Sequence, residues 1–318
     1  MENSAVAAQN VARRIVQNVE QVIVGKSPSL ELAVIALMSQ GHLLIEDAPG
    51  VGKTMLARSL AKSINCTFKR IQFTPDMLPS DITGVSVYNQ KNGDFEFRPG
   101  PIMAQIVLAD EINRATPRVQ SALLECMEER QITVDGVTRK MAAPFHVLAT
   151  QNPVEYEGTF PLPETQLDRF VMRISLGYPS ISDEILIMEN QQFIHPIEHL
   201  NQVADTSDLL MLQEAAKKIY VDDLVKQYIA TIVEMTRHHS LIYLGSSPRG
   251  SIALFRTAQA RALLHGRDFA LPDDVKALAE PVLAHRLVLH SSNGARERNA
   301  RSVVSEILDT TPVPGAKP

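Results

Sequence analysis

The residues with the clearest chemistry form a short glycine-containing loop, Ala48-Pro49-Gly50-Val51-Gly52-Lys53-Thr54. The loop follows an apolar run and precedes a helix-forming segment, which is the strand–loop–helix context of a phosphate-binding P-loop. Gly50 and Gly52 let backbone N–H groups approach an anion, and the start of the helix adds free donors and partial positive charge. Lys53 could reach the β- and γ-phosphates of a nucleotide, and the Thr54 hydroxyl could bind Mg²⁺.

One position departs from the general P-loop pattern GxxxxGK[ST]. That pattern has a glycine where this chain has Asp47. The rest of the motif keeps the part that wraps the phosphates, so we expect nucleotide binding, with its affinity in question. The alternative is a glycine-rich turn before a helix with no ligand.

Two adjacent carboxylates, Asp110 and Glu111, follow the apolar run of residues 106–109. Such a run is typical of a strand buried on both faces, and ligands bind at the carboxyl ends of such strands. Asp110 could hold Mg²⁺, directly or through water, and Glu111 could orient and polarise an attacking water. A capping or surface role is the alternative, but the upstream P-loop favours the catalytic interpretation.

Three further residues could complete this site. Asn152 follows a predicted strand, where its amide could position water or sense the γ-phosphate, unless it is a turn residue. Arg169 could pair with a nearby acid, or act as an arginine finger on the nucleotide of a neighbouring subunit. Arg249 lies at a predicted helix N-terminus, where a cation opposes the helix dipole, so an anionic ligand is expected unless Arg249 is simply a solvated arginine.

The hydrophobic pattern predicts an α/β core followed by helices. Five apolar runs are expected to be strands with helices between most of them, which indicates a parallel sheet between helices: 43–46, 68–73, 106–109, 145–150 and 170–176. Asn92-Gly93 and Asp135-Gly136 lie between alternating apolar positions and predict two inserted β-hairpins. Helical spacing continues without strands from Ser182 onward. We therefore expect a nucleotide-binding αβα domain over residues 1–180 and an all-α lid domain over 181–318.

The composition fits a globular protein and argues against some partners. The 318 residues are 45% hydrophobic and 21% charged, and the net charge of −5 offers no bulk basic field for nucleic acid. Cys66 and Cys126 have no metal-ligand spacing, which favours reduced thiols and a cytoplasmic location. The sequence contains neither a recognisable secretion signal nor an apolar run long enough to span a membrane.

In these motifs the chain resembles the AAA+ ATPases, and more narrowly the MoxR family. The resemblance extends from residue 23 to about residue 305. It rests on the P-loop and on four further segments: 108–115, 149–153, 155–164 and 167–170. The two predicted hairpins are similar to the helix-2 insert and the pre-sensor-1 insert of the AAA+ branch that contains MoxR proteins, magnesium chelatase and replicative helicases.

The resemblance implies a role for each candidate residue in a Mg²⁺-dependent ATPase. Lys53 and Thr54 would form Walker A, Asp110 and Glu111 Walker B, Asn152 sensor 1, Arg169 the arginine finger and Arg249 sensor 2. Thr54 and Asp110 would hold the metal. The residues around ATP or ADP would be Val24, Gly25, Ala48, Pro49, Gly50, Val51, Gly52, Lys53, Thr54 and Met55.

The resemblance also implies an assembly and a cellular role. It implies a homo-oligomeric ring, usually a hexamer, with sites between subunits. It implies chaperone-like remodelling or maturation of a protein client with a partner that carries a von Willebrand A domain. Two alternatives stay open: an AAA+ motor acting on nucleic acid, and a nucleotide-gated scaffold without turnover, which the presence of Glu111 disfavours.

Overall fold

The computed structural model describes residues 2–91, 93–153, 158–290 and 299–315. The helices are α1 (Glu2–Glu20), α2 (Ser27–Met38), α3 (Lys53–Ser63), α4 (Pro79–Thr83), α5 (Pro117–Glu129), α6 (Glu164–Leu167), α7 (Ile181–Asn190), α8 (Pro196–His199), α9 (Thr206–Lys217), α10 (Asp223–His238), α11 (Pro248–Leu264), α12 (Pro272–Leu283) and α13 (Ala300–Thr310). The strands are β1 (Leu43–Glu46), β2 (Phe68–Gln72), β3 (Gly84–Asn89), β4 (Asp94–Pro99), β5 (Ile106–Asp110), β6 (Gln131–Val134), β7 (Val137–Lys140), β8 (His146–Gln151), β9 (Met172–Ile174), β10 (Ile242–Leu244) and β11 (Val288–Leu289).

The central sheet has five parallel strands in the order β2-β5-β8-β1-β9. The three inner strands, β5, β8 and β1, are almost wholly buried, because helices cover both faces of the sheet. This confirms the predicted five-stranded parallel sheet. Since the strands are parallel, their carboxyl ends share one edge, and the segments after β1, β5 and β8 lie side by side there.

Both predicted hairpins are present as separate two-stranded antiparallel sheets, β3–β4 and β6–β7. At the tip of the second hairpin, Asp135 and Gly136 have φ angles of 52° and 75°. Positive φ at both central residues is what a type I′ turn requires. In the first hairpin Tyr88 and Phe95 contact each other edge to face, with ring centroids 5.4 Å apart; its turn residue Asn92 lies outside the described residues.

The chain after β9 is mainly helical, as predicted, with one feature that the sequence analysis did not predict. Strands β10 and β11 form a short antiparallel pair, in which Ile242 lies opposite Leu289. Runs of two and three residues are too short for a period of two to stand out from a helical pattern. No helix within the described ranges is both long and apolar enough to cross a bilayer.

The hydrophobic core runs without a break from the sheet into the helical half of the chain. The first helix links the two, because α1 packs against α2 and α3 and also against α9 and α11 in the later part of the chain. Its buried residues recur every three or four positions, as in an amphipathic helix: Ala8, Val11, Ala12, Ile15, Val16 and Val19. This continuous core holds the helical half in a defined position relative to the sheet.

Candidate functional site

The glycine-containing loop joins β1 to α3 and is exposed at Gly50. Gly50 and Gly52 have φ angles of 86° and 99°, the left-handed region that favours glycine. A Cβ built on Gly50 would meet no atom within 4 Å, so the space over the loop is free. Lys53 and Thr54 occupy the first turn of α3, and Lys53 Nζ donates a hydrogen bond to the Asp47 carbonyl oxygen at 2.6 Å. The loop is therefore shaped to receive an anion.

Asp47 fastens this loop to the chain that follows β9. Its Oδ2 accepts hydrogen bonds from the Ser175 hydroxyl at 2.9 Å and from the backbone N–H groups of Leu176 and Gly177 at 2.6 and 2.7 Å. Its Oδ1 accepts from the N–H of Ala48 at 2.9 Å. Asp47 does not have a positive φ, so its backbone does not require glycine. The departure from the P-loop pattern thus adds an anchor without straining the loop.

We expect Asp47→Asn to lower the free energy of unfolding by about 1.5–3 kcal/mol at pH 7, the usual range for hydrogen bonds to a charged group. Burial alone would raise the pKa of Asp47, but the hydrogen bonds from Gly177, Ser175, Leu176 and Ala48 outweigh it and hold the pKa below 3.8. A depressed pKa stabilises the fold above the unfolded-state pKa, and this contribution is lost as the pH falls through the folded-state value.

Urea unfolding of the parent and of Asp47→Asn at pH 7 and at several values below 3.8 checks this prediction. The deficit of the variant should shrink in acid. A constant deficit at every pH would show that the charge of Asp47 contributes nothing. The exposed turn residue Asp135 provides a control, since asparagine tolerates its positive φ and Asp135→Asn should change little.

The acidic pair lies at the carboxyl end of β5, as predicted. Asp110 Oδ1 accepts a hydrogen bond from the Thr150 hydroxyl on β8 at 2.6 Å, and that hydroxyl accepts from the Glu111 N–H at 2.9 Å. Glu111 has φ 58° and ψ 50°, a left-handed conformation that is unfavourable for a non-glycine residue. Thr150 therefore fixes both carboxylate-bearing residues at the strand end.

Two side chains from the neighbouring strand β2 contact the acidic pair. Arg70 Nε donates to Asp110 Oδ2 at 2.9 Å and Gln72 Nε2 donates to Glu111 Oε2 at 2.7 Å. Arg114 also lies near Glu111, with 3.1 Å between its Nε and Oε2. The sequence analysis did not predict these three partners. The only hint in the sequence that Arg70 and Gln72 could lie near the acidic pair was their position at the end of a predicted strand.

Asn152 lies between the loop and the acidic pair. It follows β8, the strand between β1 and β5, and is almost fully buried. Its carbonyl oxygen accepts from Asn113 Nδ2 at 3.4 Å, and its chain neighbour Gln151 accepts through its carbonyl oxygen from the Asp47 N–H at 3.2 Å. The structure thus brings the loop, Asp110, Glu111 and Asn152 together along one edge of the sheet.

The segment with Val24 and Gly25 borders the same loop. A Cβ built on Gly52 would lie 3.4 Å from the Ile23 side chain. Gly25 has φ 72°, and a Cβ there would lie 2.2 Å from an Asp183 oxygen at the start of α7. The segment with Val24 and Gly25 therefore lies between the loop and the start of α7, and its contact with a nucleotide stays a prediction.

Arg169 and Arg249 lie at the opposite edge of the sheet. Arg169 precedes β9 near its amino end, where the N–H of Val171 bonds to the carbonyl oxygen of His42, just before β1. The P-loop begins after the carboxyl end of β1. At roughly 3.3 Å per residue, His42 and Asp47 are about 16 Å apart along the strand. Neither arginine is brought to the P-loop of its own chain.

The two arginines share one acidic partner. Arg249 Nη2 contacts Glu128 Oε1, and Arg169 Nε lies 3.2 Å from Glu128 Oε2, an ion pair not aligned for a hydrogen bond. Asp168 connects this edge to the helical half, since it accepts from the Ser247 hydroxyl and from Arg286 Nε, each at 2.8 Å. The helical half therefore presents Arg249 beside Arg169.

The pocket between these groups is rich in positive charge. Five arginines and two carboxylates line it: Arg130, Arg169, Arg249, Arg256, Arg286, Glu128 and Asp168. Burial lowers the pKa of Arg286 to about 10, although Asp168 raises it. Burial, and then the charge of Arg256, lower the pKa of Arg130. An excess of guanidinium groups without matching acids is suited to an incoming anion.

The fold and the site define the class of protein. A P-loop, an acidic pair and a polar strand-end residue along one sheet edge, followed by a helical domain that carries arginines, are the parts of an AAA+ ATPase. The sequence matches the family model "ATPase family associated with various cellular activities (AAA)" over residues 42–172 and the model "AAA lid domain" over residues 234–307.

Full-length relatives narrow the class to one family. The chain is 40% identical to Chaperone MoxR1 of Mycobacterium tuberculosis over 317 residues, which cover 97% of this chain and 84% of that protein. It is 54% identical to Uncharacterized protein YeaC of Bacillus subtilis, with coverage of 95% and 94%. A crystal structure from Cytophaga hutchinsonii matches with a TM-score of 0.92 at 37% identity and covers 98% of this chain and 97% of its own. The chain belongs to the MoxR family of AAA+ ATPases.

Proposed function

We propose that this chain hydrolyses ATP to ADP and phosphate and uses the cycle to remodel or mature a protein client. The observation that carries the proposal is the position of Asp110 and Glu111 beside the P-loop, separated from it by β8 alone. A phosphate-binding loop by itself would also suit a switch. A carboxylate such as Glu111, which can activate water, favours turnover.

The residues along this edge have separable roles. The N–H groups of the loop and Lys53 bind the phosphates, and Glu111 orients and polarises the attacking water, with Asn152 positioning it. Thr54 and Asp110 would hold Mg²⁺, whose charge, when bound, favours the transfer of negative charge onto the leaving phosphate oxygens. The donor set fits such a cation, because carboxylate and hydroxyl oxygens suit Mg²⁺ and Asp110 already bonds a cationic group, the guanidinium of Arg70.

The distance between the two sheet edges supports a site shared between subunits. Arg169 and Arg249 stand at the edge opposite the P-loop and cannot reach a nucleotide held by their own chain. We propose that they act on the nucleotide of a neighbour, Arg169 as the arginine finger and Arg249 as sensor 2. Repetition of such a head-to-tail contact gives a closed ring when the rotation between neighbours closes on itself, and the family resemblance favours a ring of six subunits.

The client and the partner are proposed from family membership. The name of Chaperone MoxR1 supports a chaperone-like role, and the resemblance to the family supports a partner with a von Willebrand A domain. Residues 1–180 would form the ATPase domain and 181–318 the lid. Cys66 and Cys126 are free thiols, in keeping with a cytoplasmic location.

Phosphate release from the purified protein with ATP and Mg²⁺ tests the proposal. We expect steady turnover in the parent and none above background in Lys53→Ala, because loss of the lysine removes the charge that binds the β- and γ-phosphates. Lys91→Ala, on the exposed turn after β3, is the matched control and should behave like the parent. Equal rates for Lys53→Ala and the parent would refute the assigned site, and EDTA should abolish turnover in all active variants.

A further inference from the structure

Residues 175–204 connect the end of β9 to the helical half of the chain and include α7 and α8. We call this segment the strap. No residue of α7 is buried, so this helix lies outside the hydrophobic core. In the later part of the strap, Ile197 and Leu200 are buried. The first part of the strap, up to the end of α7, can therefore shift without opening the core, because few buried contacts hold it.

The strap is anchored at both ends of α3, the helix that begins at the P-loop. Near the start of α3, Asp47 Oδ2 accepts three hydrogen bonds from residues 175–177, which we call the Asp47 anchor. Near its end, Lys62 Nζ donates to two carbonyl oxygens of α8 at 2.7 and 3.0 Å. The carbonyl oxygen of Ser63 accepts from two N–H groups at the end of the strap, at 2.9 and 3.0 Å. The Asp47 anchor is therefore the one beside the proposed nucleotide site.

Two features of Asp47 oppose a bound triphosphate. Its carboxylate puts a negative charge on the loop at the position where the general pattern has glycine, and like charges repel. Its carbonyl oxygen accepts a hydrogen bond from Lys53 Nζ, the cation proposed to bind the phosphates. A phosphate should draw this ammonium away, because a charged oxygen accepts a stronger hydrogen bond than a carbonyl oxygen does. Triphosphate binding and the observed position of Asp47 therefore compete.

Two further contacts hold the start of the strap without involving the P-loop. Both come from the start of α2 and the residue before it. The Ser29 hydroxyl donates to the carbonyl oxygen of Ser175 at 2.9 Å, and Lys26 Nζ donates to the carbonyl oxygen of Tyr178 at 2.7 Å. These contacts make it possible to distinguish a general loosening of the strap from an effect that passes through Asp47.

We propose that Asp47 is a positioning residue that couples the P-loop to the strap. The inference rests on the proposed function, because its ligand is the triphosphate of ATP. While the P-loop is empty, Asp47 holds residues 175–177 against the loop. When ATP binds, the phosphates draw Lys53 away and repel the Asp47 carboxylate, so the Asp47 anchor loosens and α7 is released. Such coupling is reciprocal, so the anchor lowers the affinity for ATP by the factor by which ATP weakens the anchor.

The first test is the affinity for ATPγS with Mg²⁺ at equilibrium. We expect tighter binding than in the parent, by about tenfold in Asp47→Asn and by about threefold in Ser175→Ala, which removes one of the three bonds of the anchor. A merely structural role for Asp47 predicts the opposite sign, because a loosened loop binds more weakly. Ser175→Ala leaves the charge of Asp47 in place, so simple repulsion cannot explain its gain. Ser29→Ala, which removes a hydroxyl that contacts the same strap residue from α2, is the matched control and should bind like the parent.

The second test is amide hydrogen exchange in peptides that cover residues 175–178. In the parent, exchange at Leu176 and Gly177 should be faster with ATPγS and Mg²⁺ than without, and in Asp47→Asn this difference should disappear. Equal exchange in the parent with and without ATPγS would overturn the inference, and so would tighter binding in Asp47→Asn alone or in neither variant. A parent that does not bind ATPγS would refute the nucleotide site as well. Coupling without phosphate release would count against the proposed hydrolysis only.

Discussion

Arg169→Ala should lower kcat for ATP by about 10³–10⁵, the range found when an arginine finger is removed. ATP affinity of the isolated chain should not change, because Arg169 lies across the sheet from its own P-loop and contacts Glu128 there. The loss is expected at the chemical step. In the proposed shared site, a guanidinium from the neighbour would stabilise the negative charge that develops on the transferred phosphoryl group.

A mixing experiment separates this shared site from a local structural role. Arg169→Ala has an intact P-loop and Lys53→Ala has an intact Arg169, so a mixture should recover activity that neither variant has alone. Arg301→Ala controls for the loss of an arginine elsewhere on the surface. Arg301 is half-exposed and paired with Glu280 on the helical half. No recovery in the mixture, with both variants folded and assembled, would contradict the assignment of Arg169 to a neighbouring site.

The sequence was sufficient to predict the elements of the ATPase core. Buried parallel strands appear as continuous apolar runs, and β1, β5 and β8 begin and end within one or two residues of the predicted bounds. Tight turns need particular residues, which is why Asp135-Gly136 predicted the second hairpin. The order of the strands is set by long-range pairing and could not be read from local patterns.

The contacts that the sequence did not predict depend on the order of the strands in the sheet. Arg70 and Gln72 reach Asp110 and Glu111 because β2 lies next to β5, a neighbourhood that no local pattern encodes. Likewise Asp47 gains its partners from the chain after β9, 128 to 130 residues further on. Local motifs predicted the candidate ligand-binding groups, and the tertiary structure was needed to find the side chains and backbone groups that hold them in place.

The positions of Arg169 and Arg249 could not be predicted from local sequence patterns either. The sequence allowed Arg169 either a nearby acid or a neighbour's nucleotide and favoured an anionic ligand for Arg249, but it could not say on which side of the sheet the two arginines lie. The structure places both at Glu128, near the end of α5, because α5 returns from the carboxyl edge of the sheet to its amino edge. In the proposed assembly, Glu128 would have to release both arginines before they could contact a phosphate of the neighbour's nucleotide, so Glu128 and that phosphate would compete for the same cations.

Glu111→Gln should lower the rate of hydrolysis by about 10²–10⁴ while ATP still binds, because general-base assistance is typically worth that much. The fold should tolerate the change. The amide oxygen of a glutamine can still accept from Gln72 and Arg114, and the left-handed backbone at position 111 is fixed by Thr150 rather than by the side chain. Glu125→Gln on the exposed side of α5 is the matched control.

Phosphate release and equilibrium binding of ATP, measured on the same preparation of Glu111→Gln, test this role of Glu111. If Glu111 activates the water, the variant should lose turnover but still bind ATP, because the P-loop and the groups proposed to bind Mg²⁺ are unchanged. Loss of ATP affinity instead would assign Glu111 to binding, and parent-like turnover would remove it from the reaction. Under the proposed remodelling function, a variant that binds ATP but cannot hydrolyse it should also retain its client, so proteins recovered with Glu111→Gln in ATP but absent in ADP are the candidates for that client.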